Sequence, residues 1–244
     1  MFLSMPDGWT APTPADFERA RGLAKAALLS ERMDRYYYQR DRNYAGPTFW
    51  TLGSNPADEF VGDDLLAVTL LSVSVGPAGV RAVLEDHATR KNLTSALDNV
   101  TTERSLAEAT EQDLLAMWEL HTAVKQAISN PAATNANPWV TAAKLTARKR
   151  PALIPVRDNV VGKLLGNSAL KNASVYWQLM RALLRDADVM SAMAAARVRL
   201  ASYGTDALIG ETESEPDLRL LDVALWISAV DGPSKVDPFA EADS

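Results

Sequence analysis

The stretch NPWVTAAKLTARKRPALIPVRDNVVGKLLG, from Asn137 to Gly166, carries the signals that decide the fold. Its Asn-Pro start is typical of a helix N-cap followed by the first helical residue, and the next proline ends the helix predicted over 139–148. A third proline precedes a second helix, predicted over 157–165, which the following Gly-Asn pair closes. Two short helices joined by a basic turn favour an all-α protein.

Helix signals also dominate on both sides of this stretch. Thr13 precedes a proline and two acids, which predicts a helix from there to about Arg35. The run Thr110-Glu111-Gln112-Asp113 resembles a capping box with Asp in place of Glu. On the helix that follows, residues at helical spacing predict a buried stripe made of Leu114, Trp118, His121, Val124 and Ile128.

The predicted fold class is all-α with eight to ten helices, because no strand pair with a hairpin turn and no internal repeat is present. The helices are expected to form one domain over 1–230, or two helical lobes that meet near the loop 130–138. The stretches 36–44 and 46–56 are predicted as loops from their glycines, prolines and asparagines. A polar C-terminal tail is predicted over 231–244.

The composition excludes several classes of protein. The chain has 244 residues, of which 47% are hydrophobic and 23% are charged, as in an ordinary globular protein. It has no Cys and two His, which excludes disulfide scaffolds and Cys nucleophiles and gives no basis for a metal or another cofactor. No apolar run is long enough to span a bilayer and no signal peptide is recognisable, so we expect a cytoplasmic protein without a membrane partner.

Charge is distributed unevenly along the chain. The net charge is −6, yet the window 135–173 holds seven basic side chains and one acid, a balance of +6 that leaves −12 for the remainder. A basic island in an acidic protein favours a local anionic partner, for example a phosphate backbone. The alternative is a solvated helix face whose cations form salt bridges with the acidic remainder.

Two motifs in the opening stretch have a counterpart in a known family. Thr141-Ala142 lies where the second helix of a hairpin would begin, and the segment PVRDNVV, from Pro155 to Val161, follows it. This order resembles the helix–hairpin–helix DNA glycosylases, in which a segment of the form Pro-Val-Asp-x-x-Val carries the catalytic carboxylate. The chain differs by one inserted residue, Arg157. Most of the chain also resembles an uncharacterised actinobacterial family without an assigned function.

The glycosylase resemblance implies a function and a set of site residues. Asp158 would be the catalytic carboxylate, which stabilises a positively charged sugar and orients water, and Arg157 or Lys163 would favour its ionised form. No Lys lies at the position of a lyase nucleophile, which implies a monofunctional base-excising enzyme or a degenerate relative that binds double-stranded DNA. The residues that would contact the duplex are Trp139, Thr141, Lys144, Arg148, Lys149, Arg150 and Arg157.

Each of these residues also has a structural alternative. Asp158 occupies a position where a helix N-cap or a first-turn acid is common, and the cations are consistent with a solvated basic turn. Tyr44 and Trp50 belong to a cluster of aromatic and basic residues, and these two either stack on bases or dock on the core. A non-enzymatic helical protein that acts through protein partners is therefore the alternative function, and an enzyme with an unidentified substrate is a third.

Two further polar groups are candidates for a site. Asp63 and Asp64 precede an apolar run, and they form either a metal-binding pair or, as we predict, an N-cap with a first-turn acid. His121 lies on the apolar stripe of its helix and is predicted to be a core histidine rather than a ligand.

Overall fold

The computed structural model describes residues 4–37, 44–129, 137–166, 169, 171–203 and 215–230. Every regular element in these ranges is helical, which confirms the all-α prediction, and twelve α-helices are found there where eight to ten were predicted. In chain order they are α1 Pro14–Leu29, α2 Asp34–Tyr37, α3 Gly46–Thr51, α4 Gly62–Ala67, α5 Pro77–Leu84, α6 His87–Asp98, α7 Glu111–Ile128, α8 Trp139–Lys149, α9 Asn159–Leu165, α10 Ala173–Leu183, α11 Ala187–Ala201 and α12 Asp217–Val230. Two 3₁₀ turns, Glu31–Met33 and Val68–Leu71, lie between these helices.

Two capping boxes form the helix starts that the sequence indicates. Thr13 Oγ1 accepts from the Asp16 backbone N at 3.1 Å, and Asp16 Oδ2 accepts from the Thr13 backbone N at 3.0 Å. Thr110 and Asp113 make the same reciprocal pair at the start of α7, at 3.2 and 2.8 Å. Asp thus takes the place of Glu in both boxes, and both predicted helix starts are confirmed.

Two predicted boundaries differ from the structure. The first helix ends at Leu29 rather than near Arg35, because Ser30 has extended backbone angles and its side chain caps the 3₁₀ turn that follows. Within the loop predicted over 46–56, the structure has the helix α3, which a proline in the first turn helps to open.

Three other predicted features lie wholly or mostly outside the described residues. These are residues 38–43 of the loop predicted over 36–44, residues 130–136 of the loop predicted over 130–138, and the tail at 231–244. Tyr36 and Tyr37, which were predicted to begin a loop, belong to α2. Among the helices that the structure describes, none is both long enough and apolar enough to cross a membrane.

Helices α1 and α7 organise the packing. α1 packs against α9, α10, α11 and α12, while α7 packs against α5, α6 and α8. The buried hydrophobic side chains of the described residues form one cluster that includes members of both groups. Removal of this apolar surface from water is the main contribution to stability.

Helix α8 is enclosed within this core. Every residue from Thr141 to Lys149 is buried, although the segment contains two Thr, two Lys and one Arg. A buried polar group costs free energy unless it is hydrogen-bonded. Helix α8 therefore requires partners inside the fold, and those partners define the candidate site.

The chain before α1 forms an ordered turn. Gly8 has φ = 79°, and the Trp9 backbone N donates to Pro6 O at 3.2 Å, as in a type II turn. Arg181 Nη1 of α10 donates to Ser4 O at 2.9 Å and fastens this turn to the fold. Trp9 is consequently held in one position.

Candidate functional site

All five cations predicted to contact DNA are buried. The relative exposure of these residues lies between 0% and 7% for Lys144, Arg148, Lys149, Arg150 and Arg157. A buried charge needs a carboxylate or several hydrogen bonds to offset its lost hydration. The contacts of these side chains show that the partners are other parts of the same chain.

Asp64 is the shared partner of two of these cations. Its Oδ1 accepts from Arg148 Nε at 3.0 Å, and its Oδ2 pairs with Lys149 Nζ at 2.6 Å, with all three side chains fully buried. Burial lowers the pKa of Lys149, and the Asp64 carboxylate opposes that shift. Asp63 and Asp64 both lie in the first turn of α4, which confirms the predicted first-turn acid, whereas the predicted Asp N-cap is wrong because the N-cap is Val61.

The other donors of Arg148 reach backbone carbonyls, whereas Lys149 Nζ also donates to the side-chain oxygen of Asn55 at 3.0 Å. Arg148 donates to Phe49 O and Leu52 O. Lys149 Nζ donates to Pro56 O at 3.0 Å. The C-terminal end of α8 thereby holds the segment 49–57 against the core.

Arg150 binds carbonyls from two distant segments. Its Nε donates to Val100 O at 2.9 Å, and its terminal nitrogens donate to Leu97 O and Ala57 O at 2.7 and 2.8 Å. Leu97 lies in the last turn of α6, where free carbonyls carry partial negative charge. Burial lowers the pKa of Arg150. This guanidinium therefore joins the end of α6 to the segment 49–57.

These contacts correct the interpretation of the basic turn. Arg148, Lys149 and Arg150 do not form a solvated face, because all three side chains are buried. In this arrangement the basic turn is part of the core, and it connects α8 to α4 and α6.

Asp158 caps the helix that it precedes. Its Oδ1 accepts from the Val160 backbone N at 2.9 Å, and its Oδ2 pairs with Lys144 Nζ at 3.0 Å. The N-cap alternative for Asp158 is therefore confirmed, and α9 begins two residues later than the predicted start at 157. The sequence indicated Arg157 or Lys163 as the counter-ion, whereas the ion pair in the structure is with Lys144.

Arg157 and Trp139 stack on each other beside this ion pair. The guanidinium carbon of Arg157 lies 4.0 Å from the Trp139 ring centroid, and burial lowers the pKa of Arg157. The Trp139 carbonyl lies 3.3 Å from Nε2 of His121. Burial lowers the pKa of His121 to about 4, so this side chain is neutral at pH 7 and is a core histidine, as predicted. Thr141 is also buried.

Helix α12 supplies a second buried ion pair. Arg219 Nη2 lies 3.0 Å from Asp222 Oδ2, which also accepts from the Val156 backbone N at 3.0 Å. Arg219 donates in addition to Pro151 O and Ile154 O, at 2.9 and 2.8 Å. Burial raises the pKa of Asp222 to about 6, against the opposing effect of Arg219 and the backbone donor. These bonds fix the backbone that connects α8 to α9.

The two aromatic residues predicted to stack on bases pack against α12. Tyr44 meets Trp226 edge-on, with ring centroids 6.0 Å apart. Trp50 lies under the Arg219 guanidinium, with 4.3 Å between the guanidinium carbon and the ring centroid. Both rings belong to the partly buried residues that pack on the core, which confirms the core-docking alternative.

One surface cavity lies apart from Asp158 and the buried cations. It has a volume of about 340 Å³ and is lined by Glu31, Arg32, Asp34, Arg35 and Tyr203. The Asp34 carboxylate is already bound by Arg199 Nε and by the Tyr203 hydroxyl, both at 2.9 Å. Within the described ranges, no three His, Asp or Glu side chains are grouped so that they could hold a metal ion.

Comparison with known proteins gives a family for this arrangement of helices. A family model matches residues 30–229, a range that includes α8, Asp158 and all of α12 but its last residue. The chain belongs to the DUF6308 family of unknown function. No curated protein and no solved structure matches it. The family carries no assigned activity, so the resemblance to helix–hairpin–helix glycosylases stays a prediction.

Sequence reasoning missed three roles in this family member. It did not connect Asp64 with the basic turn, although a +6 window in an acidic chain requires counter-ions. It did not single out Arg219 and Asp222, whose spacing on α12 allows an ion pair. It also placed Trp118 in a buried stripe, whereas this side chain is 42% exposed.

Proposed function

We propose that the protein acts by binding a protein partner and is not an enzyme acting on nucleic acid. The observation that carries this proposal is that the charged side chains predicted for catalysis and DNA contact all interact with other groups of the same chain. Both oxygens of Asp158 are engaged, one with a backbone N–H and one with Lys144. Arg148, Lys149 and Arg150 are saturated by Asp64 and by carbonyls.

Burial of these cations also leaves the rest of the chain acidic. Seven basic and four acidic side chains are buried among the described residues. The described residues that are not buried hold 15 Lys and Arg against 19 Asp and Glu, a balance of −4. Binding to a DNA backbone needs exposed Lys or Arg opposite several phosphates. A negative exterior favours a partner that is itself basic.

The proposal predicts that the purified chain shows no salt-sensitive binding to a double-stranded oligonucleotide in a fluorescence anisotropy titration, even at about 50 mM salt. Lys163 and Lys171 are exposed cations of the same window. Changing both to Glu is expected to leave the titration unchanged. Photo-cross-linking in cells that make the chain is expected to give a discrete protein adduct. Submicromolar duplex binding that the two substitutions abolish would contradict the proposal.

One observation favours a second candidate, the divergent monofunctional DNA glycosylase with a helix–hairpin–helix unit. The Asp158 side chain is 18% exposed and lies beside Lys144, so a carboxylate with a fixed counter-ion lies near the surface. Such a group is what stabilisation of a developing sugar cation requires. The hairpin turn of this unit would correspond to 135–138, of which residues 135 and 136 lie outside the described residues.

Asp158→Asn separates the two candidates. An Asn side chain still accepts from the Val160 backbone N and keeps the helix cap, but it removes the negative charge. A glycosylase would release bases from damaged duplexes and lose at least about a hundredfold of that rate in the variant. Under the partner-binding proposal, wild-type protein releases no base from any duplex in the panel. Asn159→Ala, at the exposed neighbouring position, serves as the control.

A further inference from the structure

The N-terminal turn and α7 together present aromatic and apolar side chains to solvent. Trp118 is 42% exposed and Leu115, one turn earlier on α7, is 38% exposed. Trp9 stands at a steep angle to Trp118, with ring centroids 6.2 Å apart. We refer to Trp9, Leu115 and Trp118 as the aromatic surface.

The aromatic surface rests on a fixed base. Trp177 of α10 is 2% exposed and lies 5.7 Å from Trp9 and 6.1 Å from Trp118, centroid to centroid. The neutral His121 ring stacks on Trp118 at 6.2 Å. On the other side, the turn that carries Trp9 is fastened to Arg181. A preformed surface loses little conformational entropy on binding, which favours recognition.

Acidic residues flank the aromatic surface along α7. Glu111 and Glu119 lie one helical turn before and after Leu115, and both are exposed. An apolar centre with a charged rim is the usual organisation of a protein interface, and exposed Trp is enriched among the residues that dominate binding energy. By contrast, Val198 of α11 is 74% exposed but is a single Val on another helix.

We propose that the aromatic surface docks a segment of a partner protein that carries a large apolar side chain flanked by Lys or Arg. This inference rests on the proposed function and names the surface and the partner chemistry. The apolar side chain would pack on Trp118 and Leu115, while the flanking cations pair with Glu111 and Glu119. A second copy of this chain fits less well, because it would bring the same acids of both copies together.

A pair of matched peptides tests the docking surface. One has a Leu-Trp centre flanked by lysines, and the other has the same centre flanked by glutamates. The lysine-flanked peptide is expected to bind the full chain at least about tenfold more tightly, measured by anisotropy of a labelled peptide. Leu115→Glu and Trp118→Ala are each expected to weaken that binding by about tenfold or more.

Val198→Glu, an equal change at an exposed apolar position on α11, is expected to leave peptide binding unchanged. Thermal melts show whether each variant folds. If Trp118→Ala does not fold, the binding measured for Leu115→Glu decides alone. Three outcomes overturn the docking surface. Both peptides bind equally well, neither peptide binds, or Val198→Glu weakens peptide binding as much as Leu115→Glu does. A dimer that Leu115→Glu dissociates overturns it in favour of a second copy. In these outcomes the proposed function stands if cross-linking still yields a protein adduct, and it falls if the duplex-binding assay or the base-release assay is positive.

Discussion

Asp64→Asn is expected to lower the free energy of unfolding by about 3–5 kcal/mol, the largest effect of any single change considered for this protein. The substitution keeps the volume of the side chain but removes the negative charge between Arg148 and Lys149. Both cations are fully buried beside that carboxylate. In the variant, the two cations would either stay charged inside the fold without a carboxylate partner, or Lys149 would lose its proton on folding. Either outcome costs stability.

Urea unfolding followed by circular dichroism measures this effect. Asp58→Asn removes the same charge from an exposed position in the preceding loop and is the matched control. It is expected to change the free energy of unfolding by less than about 0.5 kcal/mol. If Asp64→Asn proved as mild as this control, the buried ion triad would not contribute to stability in the way its geometry indicates.

The second large effect is a pair of opposite pH dependences. Burial lowers the pKa of His121 from 6.5 to about 4, so the neutral form is favoured in the fold. Its contribution to stability is complete above pH 6.5 and is lost as the pH falls toward 4. Burial raises the pKa of Asp222 from 3.8 to about 6. Its contribution is complete below pH 3.8 and is lost as the pH rises toward 6. Each amounts to roughly 3 kcal/mol over its window.

These contributions are measured as differences between wild type and variants across that pH range. The stability advantage of wild type over His121→Gln is expected to shrink as the pH falls from 6.5 to 4. Its advantage over Asp222→Asn is expected to shrink as the pH rises from 4 to 6. His87→Gln, which removes an imidazole from an exposed position, is the matched control. Parallel profiles for the two buried sites would show that burial does not set their ionisation.

Local signals predict the helix starts in this chain well. Thr13 and Thr110 act on backbone N–H groups three residues away, so the sequence window that predicts the capping box contains all its atoms. The same holds for Asp158, whose role as an N-cap involves only the next two residues. The predicted end of α1 near Arg35 was wrong because the prediction did not take account of Ser30, whose side chain caps the 3₁₀ turn that follows.

The charged contacts were not predictable in the same way, because their partners are distant in sequence. Arg148 and Asp64 are separated by 84 residues, and Arg150 and Leu97 by 53. A window of net charge indicates that counter-ions are needed but not which acid or carbonyl supplies them. The exposure of Trp118 follows the same rule, because helical spacing shows which residues share a face but not how far neighbouring elements cover it.

The cations at the end of α8 bind mainly backbone oxygens, and this has a consequence for how the family can diversify. Any amino acid at 52, 56, 57, 97 or 100 offers a carbonyl, so those positions are free to change identity as long as the path of the main chain is kept. The demand for particular residues then falls on Asp64, on the three cations, and on Asn55, whose side-chain oxygen accepts from Lys149. A few invariant side chains would thus be enough to preserve the interior while the surrounding loops drift.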